Sequence, residues 1–282
     1  MSLMDNFSFD ATLMALANVS QTAGSLAVYL AAGVLPCLLW LLFYLRRDRH
    51  PEPKKQIIWV FCLGALMTAP AVAFEMFLIN AIGALDLPGI MAMLFTNIVA
   101  IALIEELAKY FAVWVKEQAA EQNRHLDEPV DFVIYMITAA LGFAAVENLL
   151  FLLPEVQQKL IGGVLLLPGN TADLIFISLF RSMSAILLHT LCSGIIGFYM
   201  AKAFCRPQKK FATLLAGFAI CSCLHGLYNF SIIKSESDLS FLLVPLAIIL
   251  LMAISLYIQF QWLLRQKSVC GVSAKRKAKS VK

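Results

Sequence analysis

The sequence predicts an all-α membrane protein, a polytopic bundle of about seven transmembrane helices. Of its 282 residues, 61% are hydrophobic and only 14% are charged, and the mean hydropathy is +0.81. A soluble domain carries about a quarter charged residues. The charges also collect in short runs between apolar stretches of about 20 residues or more, the length that crosses a hydrocarbon core of about 30 Å. We therefore expect no separate soluble domain.

Seven apolar segments are predicted, each too long for a buried helix of a soluble protein, and a single β-strand cannot cross a bilayer. They are residues 24–45, 56–80, 89–115, 130–153, 174–204, 211–233 and 239–264. The predicted organisation is an N-terminal segment over 1–23, a seven-helix domain over 24–264 and a basic tail over 265–282. No basic residue precedes Arg46, so the N-terminus is expected to be retained rather than cleaved as a signal peptide.

Most of the 22 Lys and Arg residues fall in the loops after the first, third and fifth segments and in the C-terminal tail. The positive-inside rule then places the N-terminus outside and the C-terminus inside. The tail follows a membrane helix closely, so we expect it to contact anionic lipid headgroups and not nucleic acid. Residues 153–173 contain an apolar stretch too short to span, which predicts a re-entrant or interfacial segment on the outer side.

The seven cysteines lie mostly in apolar segments, which argues against a disulfide framework. Cys221 and Cys223 are two residues apart on a predicted helix and point about 200° away from each other. They cannot bind one metal ion together, and we interpret them as packing residues.

An ionisable side chain near the bilayer centre costs about 2.5–3.5 kcal/mol on insertion scales, so each one is a functional hypothesis. The predicted segments contain Glu75, Glu105, Glu106, Lys109, Glu147, His189 and His225, with Arg181 nearer an edge. Helix packing alone needs only small residues such as Gly, Ala and Ser. The set therefore requires a chemical explanation.

Glu105, Glu106 and Lys109 form one polar group in the third segment. Lys109 follows Glu105 by four residues and Glu106 by three, so on a helix its ammonium can reach either carboxylate. Adjacent glutamates point about 100° apart and can line both sides of one cleft. Such a pair suits general acid–base catalysis. The alternative is an ion pair that fastens this segment to a neighbouring helix.

The fourth segment carries the sequence GFAAVEN over 142–148. Its small residues permit close helix approach. Phe143 and Glu147 are four residues apart, which places an aromatic ring beside the carboxylate, and Asn148 follows as a supporting polar group. The alternative is that Glu147 and Asn148 form a structural hydrogen-bonded pair.

His189 lies in the fifth segment, and His225 and Asn229 share one face of the sixth. A single histidine in an apolar segment is more often a satisfied core residue than a ligand. At 1.5 Å per residue from the cytoplasmic ends, however, Glu106, Glu147 and both histidines lie within a layer of about 10 Å. We therefore expect four helices to present carboxylates and imidazoles to one site in the middle to outer half of the membrane.

Three short motifs follow in order on successive helices: Glu105-Glu106-x-x-Lys109, Phe143-x-x-x-Glu147 and His225-x-x-x-Asn229. Their order and spacing, from about the second to the sixth segment, resemble the PrsW family of intramembrane proteases, which is related to the CAAX prenyl endopeptidase and bacteriocin-immunity group. The resemblance implies a peptidase of the bacterial inner membrane, with 24–264 as its protease domain, that cleaves a single-pass protein such as an anti-sigma factor. The related group carries His where this chain has Glu147.

Peptide hydrolysis in a bilayer requires water, a base that activates it and a group that stabilises the oxyanion. Glu105 or Glu106 is the expected base, and we favour Glu106. His189, His225 and Asn229 are expected to orient the water or to stabilise the tetrahedral oxyanion.

In a variant of this mechanism, a divalent metal such as Zn²⁺ is held by Glu147, His189 and His225 and activates the water. No HExxH motif supports the metal, so the glutamate type and the metallo type both stay open. Lys109 is expected to orient the glutamates in either case.

Two other functions fit the same composition. A proton-coupled transporter or channel would use the buried residues as a relay, although the sequence has no obvious inverted repeat. A non-catalytic scaffold or immunity protein would keep them for packing. Glu75, near the outer edge of its segment, joins the site or extends to the interface, and Arg181 has no assigned role.

Overall fold

The computed structural model describes residues 23–47, 51–119, 128–151, 179–205, 207–235 and 237–265. Within these ranges all the regular elements are helices, and seven are long and apolar enough to cross a membrane. They are α1 (Ala23–Leu45), α2 (Lys54–Gly83), the composite α3, α4 (Pro129–Phe151), α5 (Leu179–Cys205), α6 (Lys210–Ser235) and α7 (Leu243–Arg265). Composite α3 consists of the α-helical Gly89–Phe95, the π-helical Thr96–Ala102 and the α-helical Leu103–Ala119. The predicted fold class is confirmed.

The predicted helix ends agree with the structure to within a few residues, and short 3₁₀ turns, Pro207–Lys209 and Leu239–Leu242, precede α6 and α7. The orientation of the termini stays a prediction. Residues 153–173, the basic tail and nearly all of the N-terminal segment lie outside the described residues.

Helix α4 lies at the centre of the bundle. In its most apolar 18-residue window 89% of the residues are buried, against 22% for α7 at the periphery. Gly142 of α4 packs on the backbone of α2 at Phe61, and Gly197 of α5 packs on the backbone of α4 at Phe132. These glycines permit the close helix approach that brings the polar residues of α4 and α5 together.

The π-helical piece of α3 ends three residues before Glu105. Such irregular segments change the direction in which the following residues point and are common at functional sites. Gly226 of α6 packs directly on this piece: a Cβ atom there would lie 2.6 Å from Cα of Ile98 and 2.8 Å from the carbonyl oxygen of Asn97. Because α6 contacts α3 backbone to backbone, the neighbouring His225 is brought against α3.

The structure agrees with the interpretation of Cys221 as a packing residue, but Cys223 does not pack inside the bundle. Cys221 is buried and Cys223 is exposed, and the described cysteines are free. Cys221 packs against α5, where its Sγ lies 3.4 Å from the carbonyl oxygen of Cys192.

The Gly142→Ala variant is expected to lower the midpoint of thermal unfolding in detergent. The added methyl would overlap the carbonyl oxygen of Phe61 and lie 3.0 Å from the amide nitrogen of Ala65. Overpacking of this kind costs about 1–3 kcal/mol. Gly83→Ala is the matched control, because a Cβ at Gly83 meets no heavy atom within 4 Å. Equal midpoints for the two variants would contradict this packing.

Candidate active site within the membrane bundle

Two carboxylates and two imidazoles meet inside the bundle. One ligand atom from each of four buried residues lies within 4.8 Å of the others, and the residues are Glu105, Glu106, His189 and His225. They come from α3, α5 and α6, which are separate in the sequence. We call these four residues the Glu–His cluster. The structure thus brings acid and imidazole groups of three helices together, and their common depth in the membrane stays a prediction.

The ammonium of Lys109 lies among the members of the Glu–His cluster. Its Nζ donates to Oε1 of Glu106 at 2.8 Å and to Oε2 of Glu105 at 3.2 Å. It also lies 2.7 Å from Nδ1 of His189. Because an ammonium only donates hydrogen bonds, Nδ1 is the acceptor of this one. The side chain is fully buried, and its Nζ lies 4.9 Å from the centroid of the Phe143 ring. Lys109 thus connects α3 to α5 and neutralises part of the carboxylate charge.

Glu106 has both carboxylate oxygens occupied. Oε1 contacts Lys109 and lies 3.1 Å from Nδ1 of His225, and Oε2 accepts a hydrogen bond from Ser193 Oγ at 3.0 Å. Glu106 is completely buried. A carboxylate with this many partners is fixed in position, which suits it to hold the cluster together.

Glu105 differs from its neighbour. All its contacts within the described part of the chain are made by Oε2, with Lys109, with His189 Nδ1 at 3.5 Å and with His225 Nε2 at 3.8 Å. Its Oε1 has no such partner, and its side chain is 8% exposed. Glu105 is therefore the carboxylate of the pair that is free to contact a water molecule.

Glu147 of α4 lies beside the Glu–His cluster, on the other side of His189. Its Oε2 is 2.6 Å from Nε2 of His189. The two groups are in close contact, although Oε2 makes no hydrogen bond of standard geometry. Its Oε1 lies 3.1 Å from Nη2 of Arg181. Glu147 thus contacts one nitrogen of His189, while the other nitrogen faces Lys109 and Glu105.

Three further residues that the sequence assigned to the site are Phe143, Asn148 and Asn229. Phe143 packs on His189 with the ring centroids 6.1 Å apart. Asn148 accepts a hydrogen bond from Arg181 Nε at 2.7 Å and contacts the carbonyl oxygen of Gly33 on α1. Asn229, one turn after His225, is half-buried and makes no side-chain hydrogen bond to any residue that the structure describes. Its amide is therefore free to bind another molecule.

Glu75 of α2 belongs to this region as well. It lies close enough to Glu105, Glu147 and Lys109 to interact with them electrostatically. Its Oε1 is buried without a hydrogen-bond partner. A role of Glu75 in the site stays a prediction.

The region holds more carboxylates than permanent cations among the described residues. The carboxylates are Glu75, Glu105, Glu106 and Glu147, and the cations are Lys109 and Arg181. Buried charges without compensation are costly. Two negative charges are therefore left for protons or a divalent cation to balance.

The side chains of the site are of the chemical types that bind a divalent metal ion. Carboxylate and imidazole are ordinary zinc ligands, and the charge imbalance matches a divalent cation. Oε2 of Glu147 and Oε1 of Glu75 are buried carboxylate oxygens without hydrogen bonds. However, Lys109 Nζ lies within hydrogen-bond distance of three cluster members. A metal ion bound by these cluster residues would therefore have to displace the ammonium of Lys109.

Two partners of the site have no role assigned from the sequence, although both lie near His189 in the fifth segment. Ser193 follows His189 by one helical turn, and this spacing could have indicated that its hydroxyl faces the same carboxylates. Arg181 precedes His189 by about two turns and binds Glu147, but no spacing rule connects residues of α4 and α5. The sequence could not have identified this ion pair.

Comparison with known proteins identifies a family and several relatives. A family model described as PrsW family intramembrane metalloprotease matches residues 52–258, which include the whole Glu–His cluster. Protease PrsW of Oceanobacillus iheyensis is 31% identical over 81% of this chain and 93% of that protein. Protease PrsW of Geobacillus kaustophilus is 29% identical, over 73% and 80%, and that of Bacillus subtilis 25%, over 78% and 89%. No solved structure matches.

Lys109→Met is expected to bind Co²⁺ or Zn²⁺ more tightly than the wild type, on the order of tenfold or more. The ammonium that occupies the same ligands is removed, and two neighbouring carboxylates lose their cation. Isothermal titration calorimetry or Co²⁺ absorption measures the affinity. Lys202→Met is the control, because Lys202 Nζ lies over the Phe198 ring, 5.3 Å from its centroid. An affinity that is unchanged or weaker in Lys109→Met would show that Lys109 does not compete for these ligands.

Proposed function

The chain belongs to the PrsW family of intramembrane metalloproteases, and from that premise we propose that its Glu–His cluster hydrolyses a peptide bond of a single-pass membrane protein. One observation carries the proposal: carboxylates, imidazoles and a lysine from three helices meet inside a bundle of membrane-spanning helices. The family match supports a peptidase over the transporter and scaffold alternatives. The bacterial relatives support a place in the plasma membrane.

We propose that Glu105 is the general base. Its unpartnered Oε1 can accept a proton from a water molecule, while Oε2 stays on Lys109. His189 and His225 approach Oε2 of the same carboxylate and would orient that water toward the substrate carbonyl. The protonated Glu105 can then give the proton to the leaving amine, as a general acid does.

Glu106 has a positioning role in this proposal. Its contacts with Lys109, His225 and Ser193 join α3, α5 and α6. A site held by several aligned hydrogen bonds needs little reorganisation during the reaction, which lowers the barrier.

The developing oxyanion needs hydrogen-bond donors that are not already in use. The amide of Asn229 meets this condition, and His225 lies one turn away on the same face of α6. We propose that the amide of Asn229 stabilises the oxyanion, whereas His225 stays on the carboxylates of Glu105 and Glu106. Removal of one such donor costs about 10²–10³ in kcat in other acyl-transfer enzymes.

A metal-dependent version of this site uses the same residues. Glu105, Glu106, His189 and His225 would hold the ion, or Glu147 together with the two histidines, as the sequence alone suggested. When bound, such an ion supplies Lewis acidity to a water molecule or a carbonyl oxygen. Asn229 would contact the oxyanion in either version.

The substrate is expected to approach from the side of Glu147. This carboxylate is 31% exposed, whereas the side chains of Glu106 and Lys109 are fully buried. Arg181 and Asn148 border the same opening. A single-pass segment, such as that of an anti-sigma factor, would present its unwound peptide bond there.

Glu105→Gln is expected to reduce kcat for a reconstituted single-pass substrate by about 10²–10⁴, because an amide cannot accept the proton from water. Glu106→Gln is expected to reduce it less, because an amide keeps part of the hydrogen bonding. Fragment formation in proteoliposomes, followed by mass spectrometry, gives the rates.

Asp86→Asn makes the same chemical change outside the site. Asp86 has φ of 48°, a conformation that Asn adopts readily, so this variant is expected to cleave at the wild-type rate. Full activity of both glutamine variants would overturn the assignment of the base. No cleavage by the wild type of any single-pass substrate would overturn the proposed function.

A further inference from the structure

Arg181, to which the sequence assigned no role, binds the carboxylate that contacts His189. Its Nη2 lies 3.1 Å from Glu147 Oε1, and its Nε donates to Asn148 Oδ1 at 2.7 Å. The guanidinium carbon lies 4.0 Å from the centroid of the Phe151 ring. All three partners lie on the last turns of α4. They hold the planar guanidinium in one orientation, which an ammonium could not reproduce.

The other oxygen of the same carboxylate lies 2.6 Å from Nε2 of His189. Glu147 is therefore held between two side chains of α5. The second ring nitrogen of His189, Nδ1, faces Lys109 at 2.7 Å and Glu105 at 3.5 Å. A carboxylate beside one nitrogen of an imidazole favours hydrogen on that nitrogen and leaves the other for the reacting groups.

An interruption in α5 accompanies this arrangement. Residues 181 and 189 would be separated by about 12 Å along the axis of a regular α-helix. A turn at Ser184 separates the helical residues 179–183 from Ala185–Cys205, and Ser184 Oγ donates to the carbonyl oxygen of Phe180 at 2.8 Å. This turn lies between Arg181 and His189, the two residues of α5 that contact Glu147.

The ion pair also adjoins the Glu–His cluster. Glu147 is 31% exposed and Arg181 is 11% exposed, so the pair is partly buried. Because its carboxylate contacts His189, loss of the pair is expected to change the geometry of the His189 ring.

We propose that Arg181 is a positioning residue of this site, which acts through Glu147 to hold the His189 ring with Nδ1 turned toward Glu105. Glu147 is then the carboxylate that orients His189, a different role from that of the metal ligand suggested by the sequence. The kinetic consequence rests on the proposed function, whereas the consequence for the His189 ring does not.

Arg181→Met is expected to lower kcat about 10–100-fold, as loss of an orienting partner does, with little change in KM. Arg181→Lys is expected to have a higher kcat than Arg181→Met but a lower one than the wild type. Lysine keeps the positive charge but lacks the planar guanidinium with its several N–H donors. Glu147→Gln combined with Arg181→Met is expected to be no slower than Glu147→Gln alone, since both changes break the same contact. Additive losses in the double variant, or a rise in KM at unchanged kcat, would overturn the inference, the latter by indicating a substrate contact.

Arg47→Met is the matched control. Arg47 also lies over a phenylalanine ring, with its guanidinium carbon 5.0 Å from the centroid of Phe43, and it is exposed. This variant removes the same chemical group away from Glu147. It is expected to keep the wild-type kcat and KM.

The orientation of the His189 ring can also be measured without a substrate, by NMR spectroscopy. The chain has 4 histidines, so ¹⁵N-histidine labelling in bilayers gives few imidazole resonances, and His189→Asn identifies those of His189. Arg181→Met is expected to shift the His189 resonances, and Arg47→Met is not. Unchanged His189 resonances in Arg181→Met would overturn the inference. If the wild type cleaves no substrate, the proposed function fails, but these spectra still decide the role of Arg181.

Discussion

The buried ammonium of Lys109 is the group on which the rest of the site depends. Two adjacent carboxylates inside a membrane bundle repel each other and lose their hydration, and a cation in contact with both reduces that cost. Lys109 Nζ contacts Glu105, Glu106 and His189 without any exposure to solvent. The positions of the carboxylates, and the access of any metal ion to them, therefore follow from the place of this side chain.

Backbone packing places the other members around Lys109. The π-helical Thr96–Ala102 lies just before the glutamates, and Gly226 allows α6 to contact it directly, which brings His225 to Glu106. Gly142 allows α2 to lie close to α4, and Gly197 allows α5 to lie close to α4. The polar cluster thus depends on positions that have no side chain, because larger residues there would separate the helices.

Much of this could be predicted from the sequence. Apolar length predicted the seven helices, and the i, i+3 and i, i+4 spacings predicted that Lys109 reaches both glutamates. Counting residues from the helix ends predicted one common depth for Glu106, Glu147, His189 and His225. Spacing within a helix could not predict contacts between helices, such as Arg181 with Glu147. Nor could it separate Glu105 from Glu106, because that difference depends on partners from α5 and α6.

The most direct test of the account is the position and chemistry of the cleaved bond. Purified protein in liposomes is incubated with a single-pass substrate in H₂¹⁸O, and the fragments are analysed by mass spectrometry. The account predicts one cut inside the apolar span of the substrate, with ¹⁸O in the new carboxyl terminus. Cuts confined to the aqueous flanks of the substrate, or fragments without the label, would contradict hydrolysis at the buried Glu–His cluster.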